Sequence, residues 1–177
     1  MIAASLKAVR PSARLNLFKE TTIPHTLIMD FNGLFSTLRP PFSPSGSLGA
    51  QTVAPLDFRA TVSLLQDCKE RGHKIFSLTE LPSAFFEFLK HAPQTSLLFS
   101  YFDDILCSDL FNLKKSDPLL IEQFLTLHAI DPQSCIMVDD QPLVLRSAAH
   151  VGIQRTVLFD CSDISAVRLA LTRYGML

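Results

Sequence analysis

The sequence predicts an α/β domain, a three-layer sandwich around a mainly parallel sheet. Three observations carry that expectation. Short apolar runs alternate with amphipathic helical stretches through the middle and end of the chain, the pattern of successive βαβ units. Three of those runs end in polar residues, at Asp30, Thr79 and Asp139-Asp140. The length of 177 residues suits one domain with a sizeable core.

The elements follow in order. Residues 27–29 form a short buried-strand pattern that ends at Asp30, with the turn-like Asn32-Gly33 behind it. Residues 39–56 hold Pro40, Pro41, Pro44, Gly46, Gly49 and Pro55 with several serines, which predicts a surface loop insertion. A helix is expected over 57–71. Phe58, Val62, Leu65 and Cys68 share one face there, while Arg59, Gln66, Lys69 and Glu70 fall elsewhere. Gly72 stops it. A strand over 75–78 leads to Thr79-Glu80, and Pro82 opens a phenylalanine-rich helix over 82–90. A strand follows at 105–107. Asp117-Pro118 is a helix start, with the aspartate as N-cap and the proline in the first turn, and the helix runs to about His128. Residues 135–138 are a strand ending in Asp139-Asp140. Pro142 starts a helix that Gly152 ends. Residues 156–159 are the last strand, and Ser162 or Asp163 caps a final helix ending near Arg173. The expected plan is a basic arm over 1–24 and a single α/β domain over 25–177.

Composition excludes several classes. Lys plus Arg is 16 and Asp plus Glu is 17, so there is no basic excess for binding nucleic acid. No apolar run approaches the roughly 20 residues of a spanning helix. The arm carries Lys7, Arg10, Arg14 and Lys19 with no acid before Glu20. It lacks the apolar core of a secretory signal. Cys68, Cys107, Cys135 and Cys161 stand apart in sequence, which predicts buried thiols in a reducing compartment, the cytoplasm, and no disulfide or zinc framework. The five histidines show no metal-ligand spacing.

In an open parallel sheet, ligands bind at the carboxyl ends of the strands. Asp30, Thr79 and Asp139-Asp140 are therefore expected to converge. Carboxylates gathered in one place repel each other and stay ionised only beside a compensating cation. Hard carboxylate oxygens suit Mg²⁺. Lys115, just before the helix that starts at Asp117, is placed to pair with Asp30 or with a phosphate.

The order Asp, Thr, Lys, Asp-Asp resembles the haloacid dehalogenase-like (HAD) hydrolase superfamily, and its aspartate-nucleophile phosphatases in particular. Ile28-Met29-Asp30-Phe31-Asn32-Gly33 is similar to the first family motif, Asp-x-Asp-Gly. Ile75-Phe76-Ser77-Leu78-Thr79 is similar to the second, Leu113-Lys114-Lys115-Ser116-Asp117-Pro118 to the third, and Ile136-Met137-Val138-Asp139-Asp140 to the fourth. Each motif alone is weak, but four in order at the expected strand ends make a specific signal.

That resemblance implies a Rossmann-like sheet and a Mg²⁺-dependent phosphatase acting on a phosphorylated protein or small molecule. Asp30 would be the nucleophile that forms an aspartyl-phosphate and a metal ligand. The carbonyl of Asn32 would supply another ligand, with Asp139 binding directly and Asp140 through water. Thr79 and Lys115 would bind the phosphoryl oxygens beside Asn32 and Gly33, and Lys115 would also neutralise Asp30.

The chain departs from the family pattern at informative places. Asn32 stands where phosphatases carry the general acid/base aspartate, and losing that help costs roughly 10²–10⁴ in rate. A catalytically weakened binding or regulatory module is the alternative that this substitution supports. Leu34 replaces a usual threonine. Glu80 replaces a usual asparagine, and an acid beside a phosphate is unfavourable unless it points away or meets a cation. Thr79 follows Asp30 by only 49 residues, so a capless or minimally capped site is expected. A phosphoacceptor receiver domain uses the same residue types, but its acidic pair comes first and its lysine last. Phe85, Phe86 and Phe88, with Phe99, Tyr101 and Phe102, are read as core, any exposed part offering a homodimer contact.

Overall fold

The computed structural model describes residues 25–31, 58–93, 95–159 and 163–177. The expected basic arm, the 39–56 insertion with its capless reading, and Asn32 and Gly33 lie outside them. The elements are β1 (Thr26–Met29), α1 (Phe58–Glu70), β2 (Lys74–Thr79), α2 (Ser83–His91), α3 (Ser96–Phe99), β3 (Asp104–Cys107), α4 (Pro118–Leu127), β4 (Cys135–Asp139), α5 (Pro142–His150), β5 (Arg155–Leu158) and α6 (Ile164–Arg173).

The strands form one sheet in the order β3-β2-β1-β4-β5, and all four pairings are parallel. This is the three-layer, Rossmann-like fold that the alternation predicts. The alternation of side chains sorts the core into two layers. Leu27, Met29, Ile75, Ile136 and Val138 face α1 and α6. Ile28, Phe76, Leu78, Cys135 and Met137 face α4 and α5. The central strands are apolar on both faces because helices cover both.

Local chemistry sets the element ends. Gly72 takes φ +82 between α1 and β2, a conformation that favours glycine. Asp117 accepts from the Leu119 N–H at 3.0 Å, with Pro118 in the first turn of α4. Asp163 caps α6 in the same way through the Ser165 N–H at 2.8 Å. The helix expected over 82–90 is α2. Of the aromatic residues read as core, Phe86 is buried, Phe85, Phe99, Tyr101 and Phe102 are partly buried against the core, and the Phe88 side chain lies outside the described residues. Phe31 is fully buried, and its ring meets Phe86, Phe99 and Phe102 at 5.8, 4.9 and 5.8 Å between centroids. No sequence pattern marked α3. It is a single turn that brings Leu98 and Phe99 onto this cluster.

No helix among the described residues is long and apolar enough to cross a membrane. Cys68, Cys107 and Cys135 are free and buried. Burial pushes their thiols up to about 12, 11 and 12, so none is a ready nucleophile.

Candidate active site

Chain order in the sheet reverses between β1 and β4. β1 leads to β2 and β3 on one side, and β4 and β5 lie on the other. The crevice beyond the carboxyl ends at such a switch point is where open α/β sheets take ligands. Register brings two carboxylates there. Met29 pairs with Val138, and the Asp30 N–H donates to the Val138 carbonyl at 3.0 Å. Asp30 and Asp139 thus leave adjacent strands at one level. Each continues the parity of a residue facing α4 and α5, Ile28 in one strand and Met137 in the other.

Lys115 enters from the loop before α4, on that same face. Its Nζ lies 2.7 Å from Asp30 Oδ1 and 3.0 Å from Asp139 Oδ2. Lys115 is 0% exposed, Asp139 1% and Asp30 4%. A lysine is buried this completely only when paired. Burial works against its charge, but Asp30 and then Asp139 outweigh it and hold its pKa above the ordinary value. Two carboxylates share this one ammonium. Burial, opposed by Lys115 and reinforced by Asp30, pushes Asp139 up to about 6. The Gln141 N–H fixes the other oxygen, Asp139 Oδ1, at 2.9 Å. A buried excess of negative charge on hard oxygen donors is the chemistry that a divalent cation completes. Among the described residues no three acidic, histidine or cysteine side chains gather around one point. The set is two carboxylates, and Asp140, one residue further on, is exposed.

Thr79 ends β2, the neighbour of β1. It is fully buried, and its hydroxyl accepts from the Leu81 N–H at 3.2 Å. The structure therefore brings Asp30, Lys115 and Asp139 into direct contact. It sets Thr79 at the end of the adjoining strand and leaves Asp140 at the surface.

Glu80 and Gln141 are residues of the site whose connections the sequence did not reveal. Glu80 accepts from the Lys115 main-chain N–H through Oε1 at 3.2 Å. Its Oε2 accepts from Gln141 Nε2 at 3.3 Å. The departure at Glu80 was the only available signal, and it raised a charge conflict without naming a partner. Ser147 supports the same loop by donating to the Ser116 carbonyl at 2.6 Å.

The candidate site is a sheet-end cluster of two buried carboxylates around one lysine. The chain itself belongs to the haloacid dehalogenase-like hydrolases. That family's model matches residues 49–152, more than half of the chain. The matched span begins after Asp30 and contains Thr79, Lys115 and Asp139.

Solved structures give the same fold. A hydrolase from Streptococcus pneumoniae superposes with a TM-score of 0.59, covering 84% of this chain and 98% of that one at 18% identity. A Corynebacterium glutamicum protein gives 0.57, with 85% and 95% covered at 21% identity. The core domain of a Streptococcus pneumoniae protein, assigned as a phosphoglycolate phosphatase, gives 0.53, with 78% and 82% covered at 21% identity. No curated protein sequence matches this chain.

Proposed function

We propose that this hydrolase is a Mg²⁺-dependent phosphoric monoester phosphatase acting through an aspartyl-phosphate on Asp30. The observation that carries the reading is the buried Asp30–Lys115–Asp139 contact at the sheet's switch point. Asp30 and Asp139 would hold the cation directly, joined by the Asn32 carbonyl and, through water, by Asp140. When bound, the cation supplies positive charge against the phosphoryl oxygens and the carboxylates.

An Asp30 oxygen attacks phosphorus, a P–O(Asp30) bond forms, and the P–O bond to the leaving group breaks with its electron pair. Lys115 holds Asp30 in line and offsets charge on the transferring group, which is where phosphoryl transfer needs help. Thr79 donates its hydroxyl to a phosphoryl oxygen. Water then attacks the aspartyl-phosphate, releasing inorganic phosphate and restoring the carboxylate.

Asn32 neither protonates the leaving group nor activates that water. The reading therefore favours esters with good leaving groups, whether the substrate is a phosphoprotein or a small phosphate ester. The same asparagine supports a second reading, a module that binds phosphorylated ligands with weakened turnover.

Hydrolysis of para-nitrophenyl phosphate separates the two. The phosphatase reading expects turnover that needs Mg²⁺ and disappears in Asp30→Asn. Turnover gained only in Asn32→Asp favours the binding module.

A further inference from the structure

We infer that Glu80 is a positioning residue that sets Lys115 in the site by holding its main-chain N–H and tying that loop to Gln141. The inference rests on the phosphatase reading and concerns the place where this chain departs from its family's motif.

Beside the strand end after β1 that carries Asp30, three loops build the site: one after β2, one before α4 and one after β4. Glu80 touches all three. It follows Thr79 directly, and its two carboxylate oxygens reach the Lys115 N–H and Gln141 Nε2. Gln141 in turn holds Asp139 through its own N–H at 2.9 Å. One side chain thereby links the residue that positions the nucleophile to the segment that holds the second carboxylate. An acid suits this place because a carboxylate is acceptor-only and takes both donors at once.

This arrangement also answers the charge conflict at Glu80. Its oxygens are turned to the protein's own N–H groups. The cost is residual negative charge near a site that takes anions, so the hydrogen bonds and the charge act on different kinetic constants. The hydrogen bonds hold Lys115 in place and act on kcat. The charge opposes phosphate binding and acts on KM.

Two substitutions separate these actions. Glu80→Gln keeps an acceptor for the Lys115 N–H and loses the charge, and the Gln141 amide can turn to meet it. Glu80→Met keeps the aliphatic stem and loses both acceptors. Each is compared with wild type in two assays: per-residue amide hydrogen exchange, and para-nitrophenyl phosphate turnover with Mg²⁺.

Glu80→Met should speed exchange of the Lys115 amide by about tenfold or more relative to amides of the core strands. It should lower kcat about tenfold to a hundredfold, the effect of misplacing a catalytic group by a fraction of an ångström. Glu80→Gln should restore both, with KM at or below the wild-type value. A Lys115 amide that exchanges at the wild-type rate in Glu80→Met overturns the inference. So does equal loss of kcat in the two variants, which would make the charge the cause. If wild type and Asp30→Asn show the same turnover, the phosphatase reading fails, and the exchange data still decide whether Glu80 holds the Lys115 loop. A uniform drop in stability with kcat and KM unchanged would reduce Glu80 to a structural residue and also overturn the positioning role.

Discussion

Lys115 and Asp30 stand 85 positions apart in sequence, yet their charged atoms meet at 2.7 Å with both side chains out of solvent. Asp139 completes the contact at 3.0 Å. One ammonium is set against two buried carboxylates, and the stability of the cation-free protein depends on it. Lys115→Met should therefore cost about 3–5 kcal/mol, the penalty for leaving buried charge unpaired. Asp30→Asn leaves one carboxylate per ammonium and should cost at least about 2 kcal/mol less. Urea unfolding without added metal measures both. Equal losses would mean that the charges are not coupled as described. Both variants should lose most turnover.

Asp139 gives the site a pH dependence of definite sign. Its pKa is pushed up to about 6, chiefly by burial. In the metal-free fold its charged form is disfavoured, so this carboxyl alone makes the protein more stable as pH falls through about 6. Cation binding needs the ionised form and runs the opposite way. The apparent Mg²⁺ affinity should drop about tenfold per pH unit below 6 if one proton is exchanged. Calorimetric titration at pH 7.5 and 5.0 checks this. Equal affinities would show that Asp139 is not a ligand.

A second pH effect arises at the opposite end of the sheet. His73 is buried, accepts from the His25 N–H at 3.0 Å through Nδ1, and contacts the Met176 carbonyl at 2.8 Å through Nε2. Its ring also stacks on that of His25 at 5.8 Å. Burial lowers the pKa of both histidines from the ordinary 6.5. For His73 the Met176 carbonyl partly offsets this, and for His25 the neighbouring Arg155 adds to it. The unfolded chain takes up protons below about 6.5 that the folded chain refuses, so stability is lost as pH falls below that value. His73→Gln should flatten this slope in melting curves between pH 7.5 and 5.5. An unchanged slope would remove the histidine pair from the account.

Phe31 links the core to the site. It directly follows Asp30 and points to the other face, into Phe86, Phe99 and Phe102. Phe31→Ala should cost about 3–5 kcal/mol by opening a cavity. It should also reduce turnover, because the strand end that aims Asp30 loses its anchor. Phe31→Leu should cost less than half as much and keep most activity. Denaturation and para-nitrophenyl phosphate kinetics on the two variants test this. Stability loss without any kinetic effect would separate the anchor from the site.

Much of the site was legible because its parts obey local rules. The parity of Leu27, Ile28 and Met29 sends Asp30 to one face, and Ile136 to Val138 does the same for Asp139. Asp117-Pro118 fixed the start of α4 and hence the place of Lys115 just before it. What stayed hidden depends on contacts between distant loops. Nothing near Glu80 in sequence names Lys115 or Gln141 as its partners. The burial of Asp139 and the exposure of Asp140 both follow from where β4 ends, which sequence pattern locates only to within a residue or two. The single turn of α3 is too short to show a period.

If Asp30 is a covalent phosphoryl carrier, its phosphorylated form can be trapped. Asn32 cannot activate water, so the aspartyl-phosphate should outlast the first step and accumulate. The protein is mixed with Mg²⁺ and acetyl phosphate, quenched in acid and examined by peptide mass spectrometry. One phosphoryl group is expected on Asp30, absent without Mg²⁺, absent in Asp30→Asn, and less abundant in Asn32→Asp. Turnover of acetyl phosphate with no phosphoryl group on Asp30, or with the group on another residue, would contradict that role.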